Sequence, residues 1–597
     1  MNWDHITTEN QEIRLQGKGV SPGLVIGRIH VNSRGFVAPS IFPIEEKAID
    51  SELVRFQTAV YVTKKQLEKL QKAINSVSGE RESKIFEAHI LLIEDKTLHR
   101  KVEAMLREEL LNIDHCYYRV MCDYMAIFKQ SEDAYMSERT ADLEDIAIRF
   151  LDNLLKVSHA GEIDYDHILV SHDLTPSDTI SLDRQRMLGF VTEQGSYTSH
   201  TAILARSLGI PAIIGVESAV AQVQEHTLCI LDGVLGLLIL NPSQETLETY
   251  KKRHKENLEL KARLQKESPL PCVTTDGHHI TLSSNVEFSH EIELVNKHGA
   301  EGVGLFRTEF YLLENKKTPT EDQQADLYSK VTREVAPHLS IFRTLDSGGD
   351  KMSGEPLSTP EPNPFLGWRG IRFSLARPEI FKVQLRALLR ATVHGNVGIM
   401  FPMISQIAEI RKAKALLEEC RQELLSEGYN IQPNYQIGAM VEVPAAALLA
   451  EEIAKEVDFF SIGTNDLVQY TTAVDRVNPL VNDLYRPADP GVLRLIDLTV
   501  RGGKASDTWT GICGEMASDI ELLPLLLGVG IEELSVGVNM IPIVKSAIRR
   551  LNLKDCQELT KKALKLSRAI EIREASRAVA KKSYPILLEH QVNQKTP

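Results

Sequence analysis

Eight short apolar segments, each separated from the next by a helical pattern, recur between residues 280 and 538. They are residues 280–284, 302–306, 340–343, 397–401, 436–441, 459–463, 510–513 and 534–538. Apolar segments of this length that alternate with helical patterns are typical of parallel β-strands. Eight such units in roughly 300 residues are the pattern of a (β/α)8 barrel. The sequence therefore predicts a TIM barrel over residues 271–585.

The residues before this barrel have a different organisation. Apolar segments near residue 25 and at residues 167–170, 188–192, 212–215 and 228–233 predict strands of an α/β domain. Residues 35–157 instead repeat apolar side chains at helical spacing, with almost no glycine or proline. A helical block offers no sheet to the strand near residue 25. We therefore expect that strand to join the later ones, with the helical block inserted between them.

These patterns predict an α/β multidomain protein with five parts. An α/β domain is expected from residues 1–34 and 158–243, of which the first fifteen residues would be a loose extension. The inserted helical subdomain is expected at residues 35–157. Residues 244–270 are strongly charged on nearly all sides, which favours a linker helix that crosses solvent. Residues 586–597 are expected to be a tail that follows the barrel.

Composition limits the cellular setting and the partners. The chain has 597 residues, which is too long for one hydrophobic core. Its net charge of −14 argues against nucleic acid or an anionic membrane surface as the main partner. Seven scattered cysteines without a C-x-x-C pair argue against disulfides and zinc, and favour a reducing compartment. Neither a signal peptide nor a membrane-spanning stretch is evident, so we expect a cytoplasmic protein without membrane insertion.

Charged and polar residues follow several of the predicted barrel strands, at the end where such barrels carry their active sites. Four arginines could clamp a phosphate and a carboxylate, and two carboxylates suit Mg²⁺ that also binds the substrate. An asparagine could donate to a phosphate oxygen, and a cysteine could donate a proton or act as nucleophile. These residues are Arg307, Arg343, Arg369, Arg476, Glu442, Asp466, Asn465 and Cys513. The set predicts a small phospho-acid as the substrate.

Each of these residues also has an ordinary structural explanation. An arginine after a strand often forms a surface ion pair, and Glu442 could be an acid at a helix N-terminus. A single cysteine such as Cys513 is usually a small buried apolar residue. Because all of them fall at one face of one predicted barrel, we favour the functional interpretation.

A histidine in the α/β domain stands at a predicted helix start. Ser199 is a good N-cap, and the apolar residues that follow His200 suit a short helix that ends at Gly209. Free backbone N–H groups at a helix N-terminus favour an anion, so His200 could accept a phosphoryl group there. When this stretch is taken alone, a capped turn with an incidental histidine is the slightly better explanation, because Ser-His before a helix is common.

Several motifs in sequence order resemble enzyme I of the bacterial phosphoenolpyruvate-dependent sugar phosphotransferase system. The wider group includes pyruvate phosphate dikinase and phosphoenolpyruvate synthase. The motifs are Ser21-Pro-Gly23, Leu174-Thr-Pro-Ser177, Thr198-Ser-His-Thr-Ala-Ile-Leu-Ala-Arg206, Gly304-Leu-Phe-Arg-Thr-Glu309, Arg343-Thr-Leu-Asp346, Gly348-Gly-Asp-Lys351, Asn363-Pro-Phe-Leu-Gly-Trp-Arg369, Phe401-Pro-Met403, Gly463-Thr-Asn-Asp-Leu-Val-Gln-Tyr470 and Cys513-Gly-Glu-Met516. The resemblance covers residues 15 to 580.

The resemblance implies a role for each candidate residue. His200 would be the phosphorylated histidine, and Cys513 would donate a proton to the enolate carbon. Phosphoenolpyruvate would be bound by the three residues Arg307, Arg343 and Arg476 together with Asn465, and Mg²⁺ by Glu442 and Asp466. The helical insertion would dock HPr, the small carrier protein that receives the phosphoryl group, and the C-terminal barrel would form a homodimer.

Two alternatives remain. A dikinase or synthase of the same group would need a separate nucleotide-binding domain, for which the chain has no room and no recognisable motif. A regulatory phosphoprotein that senses phosphoenolpyruvate, with little carrier turnover, is the second. It is kept open by Ser196 and Tyr197, which stand where the family usually has glycine and arginine. If the enzyme interpretation holds, we expect a large swing about the linker helix, because His200 and the barrel lie on separate domains.

Overall fold

A computed structural model describes most of the chain. The described residues are 12–32, 38–75, 89–129, 134–155, 165–172, 186–194, 205, 210–309, 311, 319–346, 363–476, 478 and 480–593. The chain divides into two units, of which one includes Met1–Asn257 and the other is Leu258–Asn593. Across the described ranges, no helix is both long enough and apolar enough to cross a membrane.

The second unit contains a closed barrel of eight parallel strands, which are hydrogen-bonded in chain order. The strands are β9 (Thr281–Val286), β10 (Gly302–Arg307), β11 (Leu339–Arg343), β12 (Asn396–Phe401), β13 (Gln436–Val441), β14 (Phe459–Ile462), β15 (Trp509–Ile512) and β16 (Glu533–Gly537). Strand β16 pairs back with β9 and closes the ring. The predicted barrel is confirmed, and each predicted strand lies within two residues of an observed one.

Helices surround this barrel. They are α7 (Ile292–Lys297), α8 (Glu321–Val335), α9 (Ile371–Ala376), α10 (Pro378–Ala391), α11 (Ile407–Ser426), α12 (Pro444–Leu448), α13 (Ala450–Ala454), α14 (Thr464–Thr472), α15 (Pro490–Lys504), α16 (Leu523–Val529), α17 (Ile541–Ile548), α18 (Leu553–Ala563), α19 (Ala569–Ser583) and α20 (Pro585–Asn593).

The barrel interior is a packed core and not a pore. Leu305, Ile341, Met400 and Met440 form one buried cluster with Phe459 and Cys513. The ring of Phe459 stacks on Trp509 with a centroid distance of 4.7 Å and an interplanar angle of 13°. Because inward-facing side chains fill the barrel, its strand ends are held at fixed separations.

The first unit contains an eight-stranded sheet in the order β1-β8-β7-β3-β4-β5-β6-β2. Its strands are β1 (Ile13–Gln16), β2 (Lys18–Ser21), β3 (Leu24–Asn32), β4 (His167–Ser171), β5 (Met187–Thr192), β6 (Ala212–Ile214), β7 (Leu228–Asp232) and β8 (Leu237–Leu240). The short helix α5 (Ala219–Gln222) lies between β6 and β7 in sequence. The expectation of a loose extension through residue 15 was wrong for its last residues, because Ile13 and Leu15 pair with Leu240 and Leu238 of β8.

A block of helices interrupts this sheet in sequence but not in space. Its helices are α1 (Ile49–Asn75), α2 (Lys96–Glu109), α3 (Ile113–Lys129) and α4 (Ala134–Leu155). Strand β3 precedes the block and β4 follows it, yet the two strands pair in parallel along their length. The block has a core of its own, built around Phe56, Tyr117 and Phe150. These contacts confirm that the strand near residue 25 belongs to the later sheet.

The sequence suggested that the charged helix α6 (Gln244–Glu267) is polar on nearly all sides. The structure shows instead that it buries apolar residues in both of its halves. Its first half buries Leu247 and Tyr250 in a core with β7 and β8, and its second half buries Leu260 and Leu264 in the barrel core. The division between the two units falls inside the helix, between Asn257 and Leu258. Four apolar residues are too few to give a continuous stripe over seven turns, which is why the sequence pattern hid them.

The expected tail after residue 585 was wrong for most of its length. Pro585–Asn593 form helix α20, and Leu587 and Leu588 are buried in the barrel core. Pro585 fits the first turn of a helix, because the missing N–H has no partner there in any case. The unit that contains the barrel therefore extends to residue 593.

A glycine inside the barrel wall offers a test of this packing. A Cβ at Gly438 would lie 2.2 Å from the ring of Phe459, whereas a Cβ at Gly537 would have no atom within 4 Å. We expect Gly438→Ala to lower the free energy of unfolding by about 1–3 kcal/mol, because the ring must shift within a filled core. Gly537→Ala is the control and should be neutral. Urea unfolding of both variants measures the difference, and equal stabilities would contradict the packing described.

Candidate active site

Two of the predicted arginines end neighbouring barrel strands. Arg307 and Arg343 are the last residues of β10 and β11 and are partners in the strand register. Arg307 Nη1 donates to Glu287 Oε1 at 2.6 Å. Arg343 is buried, pairs with Glu309, and its Nη1 lies 3.0 Å from Asp346 Oδ2. Two guanidinium groups thus stand side by side at the carboxyl edge of the barrel.

A chain of ion pairs continues from Arg343 across this edge. Arg369 Nε and Nη2 donate to the two oxygens of Asp346, at 3.1 and 2.7 Å. Arg369 Nη2 also donates to Asp466 Oδ2 at 3.3 Å. The bidentate pair with Asp346 fixes the plane of the Arg369 guanidinium, which is the geometry that suits recognition of phosphate or carboxylate. The structure therefore joins Arg343, Arg369 and Asp466 into one network.

Glu442 lies beside this network, directly after β13. It is 2% exposed, and its Oε1 accepts a hydrogen bond from the Met403 backbone N–H at 2.6 Å. Burial and, to a smaller extent, the nearby carboxylates of Asp346 and Asp466 together raise the pKa of Glu442 to about 8. Three buried acids in one place repel one another unless protons or cations compensate them.

Glu442 and Asp466 fit a divalent cation. Asp466 Oδ1 is buried and has no hydrogen-bond partner in the described ranges, so one oxygen remains free to coordinate. In the same ranges no group of three or more histidine, cysteine, aspartate or glutamate side chains could hold a metal without help. A pair of carboxylates, with the remaining ligands supplied by substrate and water, is the usual arrangement for Mg²⁺.

Cys513 follows β15 at the same edge and is 3% exposed. Its backbone N–H donates to Ile462 O at 3.1 Å, and its carbonyl accepts from Asn285 Nδ2 at 3.0 Å. Burial raises the pKa of Cys513 to about 11. The thiol is therefore protonated at neutral pH. A proton donor needs this form, whereas a nucleophile needs the thiolate.

Asn465 and Arg476 complete the set in this unit. Asn465 is in the first turn of α14, and its side chain exchanges hydrogen bonds with Glu515, at 3.1 and 2.9 Å. The Tyr485 hydroxyl donates to Asn465 O at 3.3 Å and hydrogen-bonds with Arg476. Every predicted site residue of the barrel thus lies at its carboxyl edge, and Tyr485 links two of them.

His200 and its neighbours from Gly195 to Leu204 lie outside the described residues. The segment begins just after β5, where Gln194 N donates to His172 O at 3.0 Å. Of the predicted helix only Ala205 is described; it is helical and buried, and its carbonyl accepts from Ser21 Oγ at 3.3 Å. The role of His200 and the effect of Ser196 and Tyr197 stay predictions.

Three acids at the site were not assigned a role from the sequence. Glu287 pairs with Arg307, whereas Glu309 and Asp346 pair with Arg343. We call Arg307, Arg343 and Arg369 the arginine clamp. Glu309 stands two residues after Arg307, and Asp346 stands three residues after Arg343. The rule that active-site residues follow the ends of barrel strands could therefore have identified both acids from the sequence. Glu287 follows β9 directly and obeys the same rule.

A parallel barrel whose carboxyl edge carries an arginine clamp, two buried carboxylates and a protonated thiol is the site of an enzyme that acts on a phospho-acid. The family described as PEP-utilising enzyme, PEP-binding domain, matches residues 261–553. The N-terminal and mobile domains of PEP-utilising enzymes match residues 16–139 and 163–236. The chain is therefore a member of the PEP-utilising enzymes.

Similar proteins of known name show which family of PEP-utilising enzymes the chain belongs to. Phosphoenolpyruvate-protein phosphotransferase from Staphylococcus carnosus is 39% identical over 94% of this chain and 98% of its own. The protein of the same name from Bacillus subtilis is 38% identical with the same coverage. That from Mycoplasma capricolum is 40% identical over 92% of this chain and 96% of its own. The chain belongs to the phosphoenolpyruvate-protein phosphotransferase, or enzyme I, family.

Arg307 gives a direct test of the clamp. Its pair with Glu287 is partly exposed, so Arg307→Ala should change the free energy of unfolding by less than about 1 kcal/mol. We expect its KM for phosphoenolpyruvate to rise at least about 10-fold, since a charge-assisted contact to the substrate is lost. The control is Arg377→Ala, which removes an exposed pair with Glu379. An unchanged KM in Arg307→Ala would remove this residue from the binding site.

Proposed function

We propose that this chain transfers the phosphoryl group of phosphoenolpyruvate to its own His200 and then to a histidine of the carrier protein HPr. Pyruvate is released, and the reaction is the first step of phosphoenolpyruvate-dependent sugar uptake. The observation that carries the proposal is the meeting of Arg343, Arg369, Glu442, Asp466 and Cys513 at one edge of the barrel. The family of the chain supports the same reaction.

The clamp explains how the substrate is held. Phosphoenolpyruvate carries a phosphate and a carboxylate, and Arg307, Arg343 and Arg369 offer forked donors for both. In the structure these guanidiniums pair with Glu287, Glu309 and Asp346. When the substrate binds, its phosphate and carboxylate replace some of these acids as partners of the arginines. No buried arginine is therefore left unpaired, with or without the substrate. Asn465 donates to a phosphate oxygen, and Arg476 is held close to Asn465 through Tyr485.

Glu442 and Asp466 would hold Mg²⁺ against the phosphate. The bound ion supplies positive charge that offsets the charge of the loose transition state of phosphoryl transfer. A cation held there would also offset the repulsion among the acids, which adds to the effect of burial on the pKa of Glu442.

The first half-reaction moves the phosphoryl group to His200 and then a proton to the enolate. A ring nitrogen of His200 attacks phosphorus, and the bond from phosphorus to the enol oxygen breaks. The electron pair of that bond gives an enolate, which takes a proton from Cys513 Sγ at its methylene carbon and becomes pyruvate. The Cys513 thiolate then regains a proton from solvent. Protonation traps the product as a ketone, which makes the departure of the phosphoryl group favourable.

The helical insertion is the proposed docking site for HPr. Val54 and Tyr61 on α1 are 67% and 63% exposed, and their seven-residue spacing places them on one face of the helix. Large exposed apolar side chains on one helix face are typical of a protein-binding surface. We further propose a cytoplasmic homodimer that assembles through the barrel, on the strength of the family resemblance alone.

A labelling experiment tests the function. With Mg²⁺ and phosphoenolpyruvate labelled at phosphorus, we expect one acid-labile phosphoryl group per chain, which moves to HPr on addition. His200→Ala should not label, whereas His226→Ala, an exposed histidine of the same unit, should label as wild type does. Equal labelling of His200→Ala would contradict the proposed acceptor. Labelling without turnover onto HPr would favour a regulatory phosphoprotein.

Helix α6 is the proposed pivot between the two half-reactions. His200 belongs to Met1–Asn257 and the clamp to Leu258–Asn593, so the two must meet for transfer. Each half of α6 is anchored in its own unit: His254 Nδ1 is 2.9 Å from Leu24 O, and Arg550 Nη2 is 2.6 Å from Glu267 Oε1. The mostly exposed residues 255–259 between these anchors are where the motion would occur.

Shortening this middle segment should slow transfer and spare binding. We expect deletion of residues 255–258, about one helical turn, to slow His200 labelling at least about 10-fold, because the reacting groups no longer reach the required alignment. The control replaces the same four residues with alanine and keeps the length. Calorimetric binding of phosphoenolpyruvate by the full chain should be equal in both variants. Full-rate labelling by the deletion variant would exclude α6 as the pivot.

A further inference from the structure

One face of helix α10 packs in the barrel core, and a polar side chain stands in the middle of that face. The buried residues Phe381, Leu385 and Leu388 share the spacing that turns them to the same side of the helix. Gln384 stands among them and is 3% exposed. A buried amide costs free energy unless its donors and acceptors find partners, so an apolar residue would be the default there.

The amide of Gln384 joins the two chain segments that follow the strand-end arginines. Its Nε2 donates to Thr308 Oγ1 at 3.0 Å, and its Oε1 accepts from the Leu345 backbone N–H at 3.0 Å. Thr308 follows Arg307 directly, and Leu345 stands two residues after Arg343. One side chain on a surrounding helix therefore ties together the segments that leave β10 and β11.

The hydroxyl of Thr308 carries this connection to the backbone of the second arginine. Thr308 is buried, and its Oγ1 donates to Arg343 O at 2.8 Å. A hydroxyl has one hydrogen, so Thr308 accepts from Gln384 and donates to Arg343 without conflict. Leu345 lies beyond the end of β11, and its buried N–H has the side chain of Gln384 as its partner.

The other hydrogen bonds of this network fix the orientation of the amide. Gln384 Nε2 also donates to the Tyr328 hydroxyl at 3.3 Å, which in turn donates to Gln324 Oε1 at 3.2 Å. Gln324 Nε2 donates to Pro319 O at 3.0 Å. A flipped Gln384 amide would set its NH₂ group against the Leu345 N–H, and two donors would then face each other. The amide is therefore held in one orientation from both sides.

These contacts bear on the arginine clamp because they hold the backbone that carries it. Arg307 and Arg343 are partners in the strand register. Asp346 follows Leu345 directly and pairs with both Arg343 and Arg369. A shift of either segment would change the separation of the guanidiniums, and two-point binding of a phosphate and a carboxylate depends on that separation.

We propose that Gln384, together with Thr308, is a positioning residue that sets the separation of Arg307 and Arg343 and thereby the affinity for the phospho-acid. The inference rests on the proposed function, because it needs these arginines to bind phosphoenolpyruvate. Both residues act through the backbone of the clamp. Their loss should therefore weaken substrate binding, which appears in KM for phosphoenolpyruvate more than in kcat.

A comparison of KM with kcat separates positioning from a simple loss of stability. A variant that is only less stable has a smaller fraction of folded chain, which lowers the apparent kcat and leaves KM unchanged. A variant with a shifted clamp keeps its fold and binds the substrate less tightly, which raises KM.

The test measures pyruvate formation by the full chain with Mg²⁺ and HPr while the concentration of phosphoenolpyruvate is varied. Gln384→Met keeps the length of the side chain without its hydrogen bonds, and Thr308→Val keeps the shape without the hydroxyl. We expect both variants to raise KM for phosphoenolpyruvate at least about 5-fold, because the clamp is displaced. Their kcat should change less than about 2-fold once the folded fraction is taken into account.

Two variants serve as matched controls. Thr308→Ser keeps the hydroxyl, so its KM should stay within about 2-fold of wild type. Thr508→Val also removes a buried threonine hydroxyl, which donates to Ala454 O at 2.9 Å and to Val457 O at 3.3 Å. Thr508 directly precedes β15 and so lies at the amino end of the barrel strands. Its unfolding midpoint should fall, with KM again within about 2-fold of wild type.

An unchanged KM in a folded Gln384→Met or in Thr308→Val would overturn the inference while the proposed function stands. A KM that rises as much in Thr308→Ser or in Thr508→Val as in Thr308→Val would also overturn it, because the hydrogen bonds at the clamp would not be the cause. Should Gln384→Met fail to fold, the comparison of Thr308→Val with Thr308→Ser decides. Failure of wild type itself to form pyruvate would overturn both.

Discussion

The ion-pair chain from Arg343 through Asp346 and Arg369 to Asp466 is the interaction on which the barrel's chemistry depends. Buried guanidiniums and carboxylates are tolerated only when each finds a partner, so the position of one fixes the next. The chain spans the ends of β11 and β14 and the loop that carries Arg369. Glu442 and Cys513 stand beside it, and burial raises the pKa of both side chains.

The fold provides the rigidity that this network requires. Inward-facing Met440, Phe459 and Cys513 pack in one cluster, so the strand ends cannot shift independently. We expect motion instead where few side chains are buried, as in the mostly exposed middle of α6.

Strand positions in the barrel could be predicted from the sequence because each strand is a short apolar run between helical patterns. The strand-end arginines and acids could be found for the same reason. Other features were hidden for physical reasons. The edge strand β1 is mostly exposed and lacks an apolar run, and the buried residues of α6 are too sparse for a stripe. Which acid pairs with which arginine depends on separations across the barrel that no local pattern contains.

The central claim is that one barrel edge holds both the phospho-acid and its metal. A crystal structure of His200→Ala with phosphoenolpyruvate and Mg²⁺ tests it most directly, because the proposed mechanism leaves this variant unable to consume the substrate. The account predicts the phosphate against Arg307 and Arg343, and the ion coordinated by Glu442 and Asp466. A substrate bound elsewhere, or an ion that contacts neither carboxylate, would contradict it.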